Sequence, residues 1–254
     1  MKLGIIQGRL LPPVGGKIQE FPKDNWKEEF DILTKIDLEH IEFIVTKDSF
    51  FEFTNLTLKD YSNRISAICC DNLIDEQFYK LDFLTTQLVP ICEIAKRDGI
   101  QNINIPLLEQ STLTENNFSE FSKNILEISN RYDLNFNFEI ESPVEVSLSL
   151  VNLSYSFYFI YDTGNLNYIG VDHRNYIQRI IPKIKQVHLK DRDASGSHSP
   201  GNGTTDFNLI FELLRGFNFS GQFTIQTKRG DSGLEFETIQ QHSTFFKTLW
   251  NSLI

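Results

Sequence analysis

The chain has 254 residues, 40% of them hydrophobic and 22 of them Phe, enough for one large domain or two small ones around a sizeable core. A net charge of −10 argues against nucleic acid as a partner, because neutralising phosphates requires a basic face. The start Met1–Gln7 turns polar too soon for a signal peptide and no apolar run is long enough for a bilayer, so a cytoplasmic protein without a membrane partner is expected.

In chain order, residues 3–7 read as a first strand ending at Gln7-Gly8-Arg9, followed by a Pro/Gly loop. Asn25 and Glu28 have capping-box spacing, and Trp26, Phe30, Leu33 and Ile36 mark one helical face. Residues 41–45 form the second strand, carrying Glu42, and 65–70 the third, ending at Asp71. A long helix fills 76–97; Pro90 should kink or interrupt it, and Gly99 stops it. The fourth strand, 102–106, runs on to Glu109, and Thr114 caps a helix over 115–131. Cys69, Cys70 and Cys92 show no zinc or redox spacing and are expected as reduced, mostly buried thiols.

The fifth strand, 134–140, runs into Glu139 and Glu141, and a short helix follows Pro143. The sixth, 157–162, is apolar and aromatic up to Asp162, as expected with both faces buried. Asp172 caps a helix over 173–182, and the seventh strand, 184–190, carries His188 and Lys190 on one face. The polar, Gly-rich stretch 195–203 is either a floppy loop or a lid on the substrate side. After a helix over 206–215, the eighth strand, 222–227, leads to Arg229, and a last helix covers 234–251.

Eight strand–helix units in 254 residues average about 32 each, which predicts a single (β/α)8 TIM barrel as one domain over 1–254. A doubly wound open sheet is the alternative, but no Gly-x-Gly-x-x-Gly follows the first strand. In a barrel the strand ends converge on one face, here delivering Gln7, Arg9, Glu42, Asp71, Glu109, Glu139, Asp162, His188, Lys190 and Gln226. Two acids and an imidazole on successive strands suit a divalent cation such as Mn²⁺, Mg²⁺, Co²⁺ or Zn²⁺. Arg9, Lys190, Arg192 and Arg229 lie just past strand ends; they either pair with neighbouring acids or hold an anionic substrate group.

Four stretches in this order resemble the xylose-isomerase-like TIM barrels, the sugar phosphate isomerase/epimerase group: Gly4–Leu10, Tyr161–Asn165, Val187–Arg192 and Gly201–Phe207. The resemblance spans essentially the whole chain. It implies a metal-dependent isomerase or epimerase of a small sugar or sugar phosphate, with ligands falling by position on Glu139, Asp162, His188 and Gln226. Glu139 is preferred over Glu141, which with Pro143 looks like the start of the family's following loop. Gln226 departs from the carboxylate that the family places there, and an amide cannot act as a general base. Glu139 is then the acid/base candidate, and Lys190 a candidate for polarising the sugar carbonyl. Gln7, Arg9, Glu42, Asp71, Glu109, Arg192 and Arg229 are candidates for holding substrate. An apurinic-endonuclease-type phosphodiesterase is disfavoured, because only His188 among five His sits at a strand end. A barrel that binds a sugar without chemistry is the remaining alternative, and a homo-oligomer is compatible with the sequence.

Overall fold

The computed structural model describes residues 1–253; Ile254, the last residue of the expected domain, lies outside the described residues. The strands are β1 (Lys2–Ile6), β2 (His40–Val45), β3 (Ile65–Cys70), β4 (Asn102–Leu107), β5 (Asn135–Ile140), β6 (Phe157–Asp162), β7 (Ile184–Leu189) and β8 (Gln222–Ile225). All neighbours are parallel, in the order β1-β8-β7-β6-β5-β4-β3-β2, and the ring closes where Leu3 faces Phe223 and Ile5 faces Ile225. The expected (β/α)8 barrel is the fold observed.

The strands are amphipathic in an unusual sense. Phe138 of β5 packs on Phe121 of the helix Glu115–Ser129, Phe159 of β6 on Tyr176 of the helix His173–Ile180, and Phe223 of β8 on Phe211 of the helix Phe207–Gly216. The ring centroids are 6.2, 5.7 and 6.0 Å apart. These outward rows form the apolar layer between sheet and helices. The alternate residues point into the barrel, and many are polar. Asn137 donates to Asn104 (2.7 Å), Asn104 to Gln186 (2.8 Å), and Gln186 to both Glu42 and Thr224, all buried. Bonds between β4 and β7, or β7 and β2, cross the interior, since those strands are not neighbours. His40 fills the space beside Gly4, where a Cβ would lie 2.2 Å from the imidazole.

Several local expectations are corrected. The helix expected over 76–97 is two, Leu81–Gln87 and Val89–Asp98; Pro90 sits in the first turn of the second, where its missing N–H costs nothing. Gly99 ends that helix with φ +81°. Asn25 does not cap: the first helix starts a turn later, at Glu28. A short helix, Thr163–Tyr168, follows β6 directly, with the Asp162 side chain accepting from the Asn165 N–H. The stretch expected as a loop or lid opens with a two-stranded hairpin, Asp191–Asp193 against Gly196–His198. The rest of it is tied down. Asp191, fully buried, accepts from the backbone N–H groups of Gly201 (2.8 Å), Gly203 (2.9 Å) and Thr205 (3.1 Å). Cys69, Cys70 and Cys92 are buried and unbridged. Among the described residues, no helix is long and apolar enough to cross a membrane.

Candidate metal centre and the cavity above it

Glu139, Asp162 and His188 end β5, β6 and β7, three neighbouring strands, and all three are buried. One potential ligand atom from each lies within 4.8 Å of the others. His188 is held from behind: its Nε2 is 2.9 Å from Glu42 Oε2, and Glu42 is in turn fixed by Gln186. That leaves Nδ1 on the side of the acids. It lies 3.1 Å from Glu139 Oε2 but is not aligned for a hydrogen bond with it, and it has no other partner among the described residues. Asp162 is similar: Oδ1 accepts from Asn165 N (2.7 Å), while Oδ2 is buried without a hydrogen-bond partner, 3.8 Å from Lys190 Nζ. Glu139 Oε1 accepts from Asn165 Nδ2 (3.0 Å).

Asp162 Oδ2 and His188 Nδ1, buried without a hydrogen-bond partner among the described residues, are anomalous, since such groups normally find partners. Two carboxylates and an imidazole nitrogen form the donor set of a divalent cation. The group fits one, and Glu42 behind His188 is the carboxylate partner that metal-binding imidazoles usually have. Without a cation, the charges must balance among themselves. Burial alone would lower His188, but Glu42 and Glu139 outweigh it and hold the imidazole well above its ordinary value. Burial would raise Glu139, but His188 and then Lys190 draw it below the carboxylate range. Asp162 is pushed up by burial, Lys190 drawing it back and the charge of Glu139 adding to the rise.

Above the centre is a cavity of about 570 Å³, within the range of small-molecule sites. Of the residues singled out from sequence, Arg9, Asp71, Glu109, Glu139, Lys190 and Gln226 line it. The amide oxygen of Gln226 is buried without a partner among the described residues. Burial, with Glu109 and Glu20 nearby, raises Asp71 to about 6.

Asp162 and His188 lie behind Glu139 and do not line the cavity, and four further candidates are not brought to the site in the expected role. Glu42 lies beneath it, behind His188. Gln7 is fully buried, its side-chain oxygen accepting from Ile44 N (3.1 Å). Arg192 stacks on Tyr168, 4.2 Å from the ring centroid, and donates to Asn165 (2.8 Å), which in turn donates to Glu139. Arg229 spends its fork on the carbonyls of Gly8 and Leu11, clamping the loop after β1. Glu141 stands apart from the cluster, 3.4 Å from Arg192. Sequence reasoning passed over Asn165, Gln186 and Asp191, although Asn165 and Asp191 lie inside two of the recognised motifs. It also missed Gln19 and Glu20, which reach the cavity from the loop after β1, and Ser197, which reaches it from the hairpin.

No protein-family model matches this chain. An inosose dehydratase of Geobacillus thermodenitrificans is 30% identical over 89 residues, covering 28% of this chain and 30% of its own length. The match thus spans under a third of that relative. Among solved structures, a zinc-bound IOLI protein superimposes with a TM-score of 0.77 at 16% identity, covering 100% of this chain and 99% of its own. An L-ribulose 3-epimerase gives 0.75 at 12% identity, with 99% and 95% covered. Likeness at this identity establishes the fold alone, a (β/α)8 barrel.

Proposed function

We propose that this protein is a metal-dependent isomerase or epimerase of a small sugar, moving a carbon-bound proton through an enediolate. The observation that carries the reading is the buried convergence of Glu139, which lines the cavity, with Asp162 Oδ2 and His188 Nδ1, two atoms without a hydrogen-bond partner among the described residues. The names of the similar proteins, a sugar epimerase, an inosose dehydratase and a zinc-bound barrel, support it.

Glu139, Asp162 and His188 would hold the cation, with Gln226 offering its amide oxygen. A cation bound there supplies positive charge that lowers the cost of the enediolate. Glu139 is the acid/base: it lines the cavity, and Asn165 fixes one of its oxygens. Lys190, lining the same cavity, would polarise a sugar carbonyl. Because Gln226 cannot carry a proton, the chemistry favoured is one-base transfer between neighbouring carbons on one face.

Deuterium wash-in from heavy water, read by NMR over pentoses, hexoses and their phosphates with Mn²⁺, Mg²⁺, Co²⁺ or Zn²⁺, measures the step. Exchange is expected with wild type and not with the near-isosteric Glu139→Gln. Calorimetry with Mn²⁺ should show binding that His188→Ala loses. Equal, weak binding by both proteins refutes the metal site, and metal binding without exchange on any sugar leaves a non-catalytic sugar-binding barrel.

A further inference from the structure

Four cationic side chains line the cavity: Arg9, Lys17, Lys47 and Lys190. Three have carboxylates. Lys17 lies 2.8 Å from Glu20 and also bonds Asp48; Lys47 is 2.9 Å from Asp75; Lys190 is 3.8 Å from Asp162. Arg9 has none among the described residues, although it is only 6% exposed. Its Nη1 donates to the Thr227 carbonyl (2.8 Å) and its Nη2 to the Gln19 amide oxygen (3.2 Å). A guanidinium has five N–H donors, so most of its capacity is left over. Nε in particular is buried without a partner among the described residues.

A buried cation without a counter-charge is costly, and the surroundings make it worse. Burial, and next the charge of Arg229, pull Arg9 down to about 10. The loop that carries it is nevertheless rigidly held. Arg229 clamps the carbonyls of Gly8 and Leu11, and Glu29 takes the N–H groups of Gly8 (2.8 Å) and Leu10 (3.2 Å). The cavity is polarised as well. Asp71, Glu109 and Glu139 stand on the β3–β4–β5 side, whereas Arg9 follows β1 beside Gln226 and Thr227, which follow β8; the carboxylates nearest that side, Glu20 and Asp48, are both paired with Lys17.

We propose that Arg9 is the counter-charge of the substrate, which is a sugar carrying one carboxylate, seated on the β8–β1 side with its reacting carbons toward Glu139. This rests on the reading of the cavity as a sugar site and adds the class of sugar. A single uncommitted guanidinium matches a single carboxylate, in the fork geometry that such pairs adopt. A phosphate dianion would call for a second free cation or free backbone N–H groups. Lys17 and Lys47 are held by carboxylates, Lys190 is assigned to the sugar carbonyl, and the N–H groups of Gly8 and Leu10 are already taken by Glu29.

The test is calorimetry on the full chain loaded with Mn²⁺, titrating hexuronates, their parent hexoses and the hexose 6-phosphates. A hexuronate is expected to bind at least tenfold more tightly than its parent hexose. Arg9→Gln should remove that advantage while Mn²⁺ affinity is kept. Arg9→Lys, which keeps the charge and serves if Arg9→Gln does not fold, should retain only part of it, because an ammonium lacks the fork. The proposal is overturned if hexose and hexuronate bind alike, if both variants keep the wild-type ratio, or if the 6-phosphates bind best. Neutral sugars that bind and exchange while hexuronates do not would sink this inference alone. Absence of binding by every sugar would sink the sugar-site reading and this inference with it.

Discussion

Asp191 is the place where one atom's worth of chemistry should matter most to the architecture of the mouth. Its buried carboxylate accepts three backbone N–H groups, from Gly201 and Gly203 on Oδ2 and from Thr205 on Oδ1. Consider Asp191→Asn. If the amide oxygen faces the two glycines, the new NH₂ faces the Thr205 N–H, donor against donor. A buried unsatisfied donor costs about 1–3 kcal/mol. The two remaining bonds lose their charge assistance, about half of roughly 1.5–3 kcal/mol each. The total is about 4 kcal/mol. If the loop opens by itself, that loss appears as about a thousandfold fall in hydrogen-exchange protection at Gly201, Gly203 and Thr205. If the loop is coupled to the barrel, the melting temperature falls by about 10 °C. Exchange mass spectrometry and calorimetric melting distinguish the two. Unchanged protection together with an unchanged melting temperature would show that Asp191 does not hold the loop, and the argument would fail.

Two further outcomes follow from buried groups elsewhere. Burial lowers His40 to about 4, so it stays neutral in the fold while an unfolded imidazole protonates near 6.5; its contribution is present above pH 6.5 and is lost as pH falls toward 4. Burial raises Glu29 to about 7, so the fold keeps a proton that the unfolded chain releases near 4.5; stability is lost as pH rises from 4.5 to 7. Each is worth roughly 3 kcal/mol and the two oppose, so their combined contribution should be nearly flat between about pH 4.5 and 6.5. Urea titrations should show His40→Gln gaining on wild type as pH falls from 7 to 5, and Glu29→Gln losing ground. Parallel profiles for all three proteins would refute this. Separately, a Cβ on Gly164 would lie 2.8 Å from the Lys190 carbonyl, so Gly164→Ala should cost about 1–3 kcal/mol in urea unfolding and weaken Mn²⁺ binding by moving Asp162 away from His188.

The barrel was legible because strand-like and helix-like apolar spacing alternate along the chain, and the strand bounds came out within a residue or two. The ends of β5, β6 and β7 were legible because acids and His188 follow apolar runs. The fate of each arginine was not. Arg9, Arg192 and Arg229 look alike in sequence, and only packing decides that one stays unpaired in the cavity, one stacks on Tyr168 and one clamps a loop. Glu42 was taken for a substrate group, because a carboxylate in a strand does not announce that an imidazole 146 positions away will cover it. A signal for the barrel interior was present and went unread: Asn-Ile-Asn-Ile at 102–105, Asn-Phe-Asn-Phe at 135–138 and Gln-Val-His-Leu at 186–189 alternate polar with apolar. That period assigns the polar residues to one face.

That polar interior bears on how the protein can change over generations. Asn137, Asn104, Gln186, Glu42 and His188 form a relay in which Asn104 and Gln186 both give and receive and Glu42 accepts from Gln186 and His188. Replacing any one orphans its neighbours, so the cost of a second replacement depends on the first. An oily interior tolerates piecemeal drift between Val, Ile and Leu. Here substitutions should be strongly epistatic, and a new ligand arrangement at the mouth would require several interior residues to change together.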